Sequence, residues 1–298
     1  MKTEEKVWTL KEILKWIAGY FQRNSIELAQ LEAEELCAHV LNCNRLDIFL
    51  KLDTVLDEAR RSRLRELVVK RGRERLPLAY LLGNAEFMGL KILVNPAVLI
   101  PRPETELLVE RTIELLKNCS HPAIVDLGTG SGNIAVSLAK FLPQAKIYAI
   151  DLSEPALKLA YTNACRHNVL NRITFLKGDL TVPLRNICLN EKIDLFVSNP
   201  PYIATEEIPM LSQEVQKEPV SALDGGPRGL NFYQKIFRQA FRYLKTSGYL
   251  IVEIGAGQRK DIEELLTANG YSLDFVQKDY SGWERILAGR KEEKLCKS

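Results

Sequence analysis

The amino-acid sequence predicts an α/β protein in which a mostly parallel, helix-covered sheet follows a small all-helical domain. Three observations indicate this class. From Trp8 to about Gly72, apolar residues recur at three- and four-residue intervals, as in amphipathic helices. After Pro101, short β-rich runs alternate with helical stretches, as in parallel sheets. Near the C-terminus, two β-rich runs are separated by too little chain for a helical crossover.

The helical domain is predicted over residues 1–76. It contains no proline before Pro77, and its periodicity predicts four or five helices. The last of these helices is rich in basic residues between Arg60 and Arg75, which we call the arginine-rich stretch. Such a stretch is either a solvated helix face or a contact surface for an anionic partner, and the sequence leaves both interpretations open.

A linker is predicted over residues 77–100. Within it, residues 86–94 have the pattern of a short hairpin. The sheet domain is predicted over residues 101–290, and residues 291–298 form a charged tail that we expect to be frayed.

The sheet domain contains five runs that we predict as its parallel strands. They are residues 123–127, 146–151, 173–177, 193–198 and 249–254. Two later runs, residues 271–276 and 285–288, should pair antiparallel at one edge of the sheet. The sequence therefore predicts a seven-stranded, mostly parallel sheet.

The composition excludes several classes of protein. The 298 residues are 46% hydrophobic and 27% charged, which is enough apolar material for one or two cores. No apolar run approaches the roughly 18 residues of a membrane helix, and no signal peptide is evident, so we expect a cytoplasmic protein without a membrane partner. With 41 basic and 38 acidic side chains, no direct nucleic-acid partner is required. Six cysteines lack a CxxC pair, and the two CxH pairs lie in helical patterns where residues i and i+2 point to different faces, so we expect no metal site.

A glycine loop directly follows the first strand of the predicted sheet. It reads Gly128-Thr129-Gly130-Ser131-Gly132, and a helix begins near Asn133. Glycines allow a close approach of the backbone to a ligand, and a helix N-terminus favours an electron-rich group. Asp151 ends the next strand, where an acid can accept hydrogen bonds from both hydroxyls of a ribose. These residues therefore predict a nucleoside-containing ligand.

The spacing of the glycines separates this loop from two common phosphate-binding motifs. It lacks the last glycine position of the dinucleotide fingerprint and the lysine of the phosphate-binding loop. It resembles instead the first motif of the S-adenosylmethionine-dependent methyltransferases. That resemblance implies S-adenosyl-L-methionine as cofactor, with an acid near its adenine after the third strand, the place that Asp179 and Leu180 occupy.

The fourth strand of the predicted sheet ends in Asn199-Pro200-Pro201-Tyr202. Two prolines stiffen this acceptor loop (residues 199–202) and leave the side-chain oxygen of Asn199 and the carbonyl of Pro200 as fixed acceptors for an NH2 group. Tyr202 would add a flat wall for stacking. Amide nitrogens are poor nucleophiles, so holding both hydrogens would orient the nitrogen toward a methyl donor. We therefore predict that Asn199, Pro200 and Tyr202 are catalytic, that the whole loop binds the substrate, and that Asn199 also lies at the cofactor.

Together, these motifs resemble one family over nearly the whole chain, the HemK-type protein-(glutamine-N5) methyltransferases of class I peptide chain release factors. Further segments carry the likeness: Pro77-Leu78-Ala79-Tyr80 with Gly83, Glu86-Phe87, Leu99-Ile100-Pro101-Arg102-Pro103-Glu104-Thr105-Glu106, Ala222-Leu223-Asp224-Gly225-Gly226 with Gly229-Leu230, and Glu253-Ile254-Gly255 with Gln258. The Ile-Pro-Arg-Pro-Glu-Thr-Glu run is the most specific of these, since Asn-Pro-Pro-Tyr also occurs in adenine-N6 methyltransferases.

The resemblance implies a class I, Rossmann-like methyltransferase domain that methylates the glutamine side chain of the Gly-Gly-Gln motif in a release factor. The helical domain would help to hold that protein partner. By the same resemblance, residues 128–132 and Asp151 bind the cofactor, while Asn199, Pro200 and Tyr202 hold the glutamine amide. The accepted release factors, the oligomeric state and the docking residues stay open.

Two other classes of function are compatible with parts of the sequence. A nucleic-acid methyltransferase acting on an exocyclic amine would share the Asn-Pro-Pro-Tyr chemistry. The chain lacks an aromatic-interleaved basic surface and an inserted target-recognition region, which disfavours that class. A catalytically silent cofactor-binding protein would have no use for an intact acceptor loop.

Overall fold

The computed structural model of this chain describes residues 8–292. Within them the chain forms two compact units. The first comprises residues 8–83 together with Gln213–Lys217, and the second comprises residues 84–212 and 218–292. The segment Gln213–Lys217 is distant in sequence from the rest of the first unit, and the helical periodicity of the sequence does not reveal that it belongs there.

The first unit is helical, as the sequence predicts. Its helices are α1 (Leu10–Arg23), α2 (Ala29–Leu41), α3 (Glu58–Gly72) and α4 (Leu78–Leu82), with a 3₁₀ turn at Arg45–Leu50. Thr9 and Glu12 form a capping box at the start of α1, and Asn42 ends α2 in the left-handed conformation. Phe21, Leu36 and other apolar side chains from these helices form one buried core.

Arg71 and Arg75 of the arginine-rich stretch form ion pairs with acids that are distant in the sequence but belong to the first unit. Arg71 donates to both carboxylate oxygens of Glu32, at 2.5 and 2.9 Å, and to Glu214 at 2.8 Å. Arg75 lies 2.6 Å from the same Glu214. The Arg71 side chain is only 8% exposed, so it holds the segment Gln213–Lys217 in place and is not a solvated side chain.

The predicted hairpin is present at the start of the second unit. Strands β1 (Asn84–Phe87) and β2 (Leu90–Leu93) pair antiparallel across Met88 and Gly89. Both turn residues have positive φ, 51° and 67°, which is the turn geometry that suits the twist of a tight hairpin.

The remaining elements of the second unit alternate between helix and strand. The helices are α5 (Pro103–Leu116), α6 (Asn133–Phe141), α7 (Glu154–Arg166), α8 (Asn231–Ala240) and α9 (Arg259–Ala268). The strands are β3 (Ala123–Leu127), β4 (Lys146–Asp151), β5 (Ile173–Lys177), β6 (Ile193–Ser198), β7 (Leu244–Glu253), β8 (Tyr271–Lys278) and β9 (Glu284–Lys291). No helix within residues 8–292 is long and apolar enough to cross a membrane.

The sheet formed by these strands in the described residues has seven strands in the order β5-β4-β3-β6-β7-β9-β8. The strands from β5 to β7 are parallel, and β9 pairs antiparallel with both β7 and β8. The predicted seven-stranded, mostly parallel sheet with one antiparallel edge is therefore confirmed.

The last three strands are longer than the sequence predicts. β7 begins at Leu244 and ends at Glu253, one residue before the predicted end. β9 continues to Lys291 because its pairing with β7 extends as far as Arg290 opposite Tyr249. Lys291, which the sequence assigns to the charged tail, is buried and donates to the carbonyl of Leu244 at 2.7 Å. Residues 293–298 of the predicted tail lie outside the described residues.

The strand order places a crevice beside β3. The chain adds β4 and β5 on one side of β3, and then crosses to the other side to form β6. Parallel sheets open a crevice at the carboxyl ends of the strands where the order reverses. The glycine loop follows β3 and the acceptor loop follows β6, so the topology brings both to this point.

Candidate active site

A cavity of about 640 Å³ opens at the carboxyl ends of β3, β4 and β6 in the second unit. This volume lies within the roughly 300–1,000 Å³ that small-molecule and cofactor sites occupy. It is lined by residues 128–131 of the glycine loop, by Asp151, Asp179 and Leu180, and by residues 199–201 of the acceptor loop. The structure therefore brings together the residues that the sequence singles out, with the exceptions of Gly132 and Tyr202, which do not line the cavity among the described residues.

The two loops are joined directly where their strands end. Leu127 and Ser198 are paired in the register of β3 and β6, and Ser198 Oγ donates to the Leu127 carbonyl at 2.7 Å. Ser198 is buried and lines the same cavity. This hydrogen bond fixes the start of the acceptor loop against the start of the glycine loop.

The glycine loop is tied to β4 by its own backbone. The N–H groups of Gly128 and Thr129 donate to the carbonyl of Ile150, and that of Gly130 donates to Asp151 Oδ2 at 2.8 Å. Gly128 and Gly130 have φ values of 72° and 55°, which side chains rarely adopt. These N–H groups are thus occupied within the protein.

Gly132 allows α6 and α7 to approach closely behind the loop. A Cβ on Gly132 would lie 2.9 Å from the Cβ of Ala160, and its φ of 79° also favours glycine. Nearby, the buried Asn163 side chain donates to the Ser131 carbonyl at 2.9 Å and bonds both backbone groups of Leu93. The loop is therefore supported by packing and by a buried amide.

Two carboxylates border the glycine loop. Asp126 is fully buried and accepts a hydrogen bond from Thr129 Oγ1 at 2.6 Å. Burial raises the pKa of Asp126 to about 7, and the charge of Asp151 acts in the same direction. Burial also raises the pKa of Asp151, while the N–H groups of Ser153 and Gly130 oppose this by bonding to its two oxygens. Each Asp151 oxygen retains a lone pair for a further donor, such as a ribose hydroxyl.

The residues after β5 provide one apolar and one charged wall. Leu180 is buried at 8% exposure and lines the cavity, and its φ of 46° shows that the turn is tight. Asp179 lines the cavity from an exposed position. Both positions are compatible with a ring lying between the sheet end and Leu180.

Asn199 is held by a short relay of hydrogen bonds that leads into the protein. Its Nδ2 donates to Thr105 Oγ1 at 3.0 Å, and Thr105 Oγ1 donates to Glu253 Oε2 at 2.6 Å. Thr105 and Glu253 are each 1% exposed. With Nδ2 occupied, Oδ1 is the end of the amide that Asn199 offers to the cavity it lines.

The structure places Tyr202 differently from its predicted role as a cavity wall. Its ring packs against the hydrophobic core of the sheet, and its hydroxyl donates to Glu253 Oε1 at 3.3 Å. The side chain does not line the cavity among the described residues. The cavity lining thus offers no support for the predicted stacking role of Tyr202, which stays a prediction.

The carboxyl group of Glu253 has a raised pKa. Burial raises its pKa to about 7, although hydrogen bonds from Thr105 and Tyr202 favour the ionised form. Burial raises the pKa of Tyr202, and the charge of Glu253 acts in the same direction. Tyr202 therefore remains a hydrogen-bond donor at neutral pH.

The backbone of the acceptor loop is held by residues far along the chain. Gln258 Nε2 donates to the Tyr202 carbonyl at 2.9 Å, and Gln258 Oε1 accepts from the Gly255 N–H at the same distance. A Cβ on Gly225 would lie 2.8 Å from the Pro201 carbonyl. The motifs at residues 222–230 and 253–258 thus converge on the acceptor loop.

Sequence reasoning missed three residues as members of this site. Thr105 and Arg102 belong to the Ile-Pro-Arg-Pro-Glu-Thr-Glu run, which the sequence explains only as a rigid helix start, and Glu253 belongs to the Glu-Ile-Gly run. Arg102 lines the cavity and donates to the buried Glu218 at 2.5 Å, and Glu218 also accepts from the Ile100 N–H. The proximity of two polar runs to the cavity becomes visible only after folding.

Comparison with known proteins places the chain in a family. Residues 12–83 match the family model described as PrmC N-terminal domain, and residues 119–286 match the model of a methyltransferase domain. The chain is 40% identical over 292 residues to the release factor glutamine methyltransferase of Geobacter sulfurreducens, covering 97% of this chain and 99% of that protein. The chain belongs to the release factor glutamine methyltransferase family.

Other comparisons agree with this membership. The release factor glutamine methyltransferase of Moorella thermoacetica is also 40% identical, over 287 residues that cover 96% of this chain and 100% of that protein. A solved structure of the hMettl16 catalytic domain in complex with an RNA hairpin has a TM-score of 0.57 at 16% identity, covering 81% of this chain and 86% of that one. At that identity the likeness concerns the fold alone. The similarity to release factor glutamine methyltransferases thus extends over both units of the chain.

Proposed function

We propose that this release factor glutamine methyltransferase transfers a methyl group to the side-chain nitrogen of the glutamine in the Gly-Gly-Gln motif of class I peptide chain release factors. The observation that carries the proposal is the pairing of two features in one cavity. Asn199 and Pro200 offer acceptors for an NH2 group, and the glycine loop lies beside them. The cofactor is S-adenosyl-L-methionine.

The cavity fits this cofactor in shape and chemistry. Open space lies in front of Gly128, where a Cβ would meet no atom within 4 Å, so a ligand can approach the backbone there. We assign the ribose hydroxyls to Asp151, the adenine to the surface between Asp179 and Leu180, and the amino-acid part to the glycine loop (Gly128, Thr129, Gly130, Ser131 and Gly132). Bound S-adenosylmethionine supplies a methyl group on a positively charged sulfur.

The acceptor loop compensates for the low nucleophilicity of an amide nitrogen by positioning it. Asn199 Oδ1 and the Pro200 carbonyl each accept one hydrogen of the glutamine NH2 group, which orients the nitrogen and stabilises positive charge as it develops. Positioning of this kind can contribute roughly 7–11 kcal/mol to a reaction between two bound groups. No side chain is needed as a general base, because the methylated nitrogen releases its extra proton readily.

Pro201 and Tyr202 support these acceptors and do not contact the substrate in this proposal. Pro201 lines the cavity and stiffens the loop, while Tyr202 fixes the end of the loop through Glu253 and Gln258. Tyr202 is therefore a positioning residue in the revised assignment.

The first unit is proposed to hold the release factor. The match of residues 12–83 to the PrmC N-terminal domain supports this role, and we retain residues 1–76 as the docking domain, 77–100 as the linker and 101–290 as the methyltransferase domain. Arg61 and Arg65 remain candidates for contacts with the partner, because their side chains are 28% and 62% exposed. A translation factor as substrate also supports a cytoplasmic location.

Incubation with isotopically labelled cofactor tests the function. The substrates are a release factor, the same release factor with the glutamine of its Gly-Gly-Gln motif changed to alanine, and duplex DNA. We expect label on the first alone, and peptide mass spectrometry should locate one methyl group on the glutamine side chain. Label on DNA but not on the release factor would overturn the proposal.

A further inference from the structure

The hydrogen bonds from Glu253 through Thr105 to Asn199 hold the acceptor loop, and they also set the orientation of the Asn199 amide. We propose that Thr105 and Glu253 are positioning residues that fix which end of the Asn199 amide faces the substrate, and so favour a glutamine amide over a glutamate carboxylate. This inference rests on the proposed function, because it concerns the same acceptor, Asn199.

The donors and acceptors in the relay permit only one arrangement when Glu253 is ionised. A carboxylate can only accept, and its two oxygens take hydrogen bonds from Thr105 at 2.6 Å and Tyr202 at 3.3 Å. A hydroxyl has one hydrogen, so Thr105 can only accept on its other side. Asn199 must therefore turn Nδ2 toward Thr105, as observed at 3.0 Å.

The consequence lies at the cavity. With Nδ2 fixed behind it, Asn199 presents Oδ1, which attracts an NH2 group and repels a carboxylate. Hydrogen bonds in a chain also polarise one another in a buried site, so the relay makes Oδ1 a stronger acceptor. A flipped amide would instead present its NH2 group, which can donate to a carboxylate oxygen. It would also turn the substrate nitrogen away from the methyl donor. The relay thus makes the site attract a glutamine NH2 group and repel a glutamate carboxylate, and specific binding sites commonly combine both effects.

A purely structural role for Thr105 makes the opposite prediction from a positioning role. The side chain is 1% exposed, so its methyl group is packed. Thr105→Val keeps the shape and removes the hydroxyl, whereas Thr105→Ser keeps the hydroxyl and removes the methyl group. If Thr105 only fills space, the serine variant should be the more impaired. If it orients Asn199, the valine variant should be.

The experiment measures turnover on a release factor at saturating cofactor, cofactor affinity, and inhibition by a release factor whose motif reads Gly-Gly-Glu. We expect Thr105→Val to lower kcat by about tenfold or more, and Thr105→Ser to remain within about threefold of wild type. Cofactor affinity should stay within about twofold in both. The ratio of the inhibition constant of the Gly-Gly-Glu protein to the KM of the Gly-Gly-Gln protein should fall about tenfold in the valine variant alone.

A valine variant with wild-type kcat and wild-type discrimination would overturn the inference, as would equal losses in both variants. If Thr105→Val does not fold, Thr105→Ala replaces it in the comparison with Thr105→Ser, since alanine also lacks the hydroxyl. Failure of the proposed function has a different signature, because the wild-type enzyme would then leave the glutamine unmethylated.

Discussion

Gly229 lies directly against the carbonyl of Tyr202, and a Cβ on Gly229 would be 2.2 Å from that oxygen. The acceptor loop therefore depends on the absence of a side chain at a residue 27 positions later in the sequence. We predict that Gly229→Ala displaces the loop and lowers kcat by about a hundredfold or more, since misplacement by about 1 Å can cost that much. Steady-state kinetics on a release factor provides the measurement.

The matched control for this variant is Gly257→Ala. Gly229 and Gly257 both have left-handed φ, 69° and 81°, but a Cβ on Gly257 meets nothing within 4 Å. Both variants carry similar backbone strain, of about 1 kcal/mol, and only one has the clash. Equal kinetic effects in the two variants would mean that the contact with Tyr202 is unimportant.

Asn199→Ala should separate catalysis from cofactor binding. The variant loses the acceptor that orients the substrate nitrogen, so we expect kcat to fall by about a hundredfold or more. The glycine loop and Asp151 are unchanged, so calorimetry should give a cofactor affinity within about threefold of wild type. Parallel losses in turnover and cofactor affinity would contradict the role assigned to Asn199.

Asp151→Ala should have the reverse pattern. Asp151 accepts from the N–H groups of Gly130 and Ser153 and, in our assignment, from the ribose. We expect the dissociation constant of the cofactor to rise about tenfold or more, with a smaller change in kcat at saturating cofactor. Unchanged cofactor affinity would remove Asp151 from the binding site.

Glu253 should make the stability of the protein depend on pH in a defined direction. Its pKa is raised from 4.5 to about 7 in the folded protein, so between these values the folded state binds more protons than the unfolded state. The free energy of unfolding must then fall as pH rises from about 4.5 to about 7. This contribution is at most about 3 kcal/mol, at 1.36 kcal/mol per unit.

The variant Glu253→Gln isolates that contribution. It lacks the titration of Glu253 but keeps Asp126, whose pKa is also raised to about 7. Urea unfolding at several pH values should therefore show a steeper loss of stability with rising pH in the wild type than in Glu253→Gln. Parallel profiles would mean that Glu253 titrates near its ordinary value.

Arg61 and Arg65 test the docking role of the first unit. Both lie near Glu58, and their side chains retain exposure to solvent. Reversing both charges to glutamate should raise the KM for a full-length release factor about tenfold, and leave the KM for a short Gly-Gly-Gln peptide unchanged. Wild-type kinetics on the full-length partner would exclude this surface from docking.

The sequence predicts the sheet and the two loops because each depends on local chemistry. Glycines 128 and 130 are needed for positive φ, and prolines 200 and 201 end β6 in a stiff loop, so both features are visible in the letters. The parallel direction of the strands follows from their alternation with helices. Features of this kind are determined by residues that are neighbours in the sequence, so they can be predicted without knowing the folded structure.

The relay behind Asn199 could not be predicted in the same way. Thr105 and Glu253 are 94 and 54 residues from Asn199, and their hydrogen bonds exist only because α5 packs near the ends of β6 and β7. The hydrogen bond from Tyr202 to Glu253 could not be predicted for a related reason, since the sequence neighbours of Tyr202 give no sign of this buried acceptor. The attachment of Gln213–Lys217 to the first unit likewise depends on distant ion pairs with Arg71 and Arg75.

The most direct measurement is a crystal structure of the enzyme with S-adenosylhomocysteine and a Gly-Gly-Gln peptide. We predict that the glutamine nitrogen donates one hydrogen to Asn199 Oδ1 and the other to the Pro200 carbonyl, with its lone pair directed at the sulfur. A glutamine bound with its oxygen toward Asn199, or bound on the other side of the sheet from the cofactor, would show that the acceptor loop does not orient the substrate nitrogen in this way.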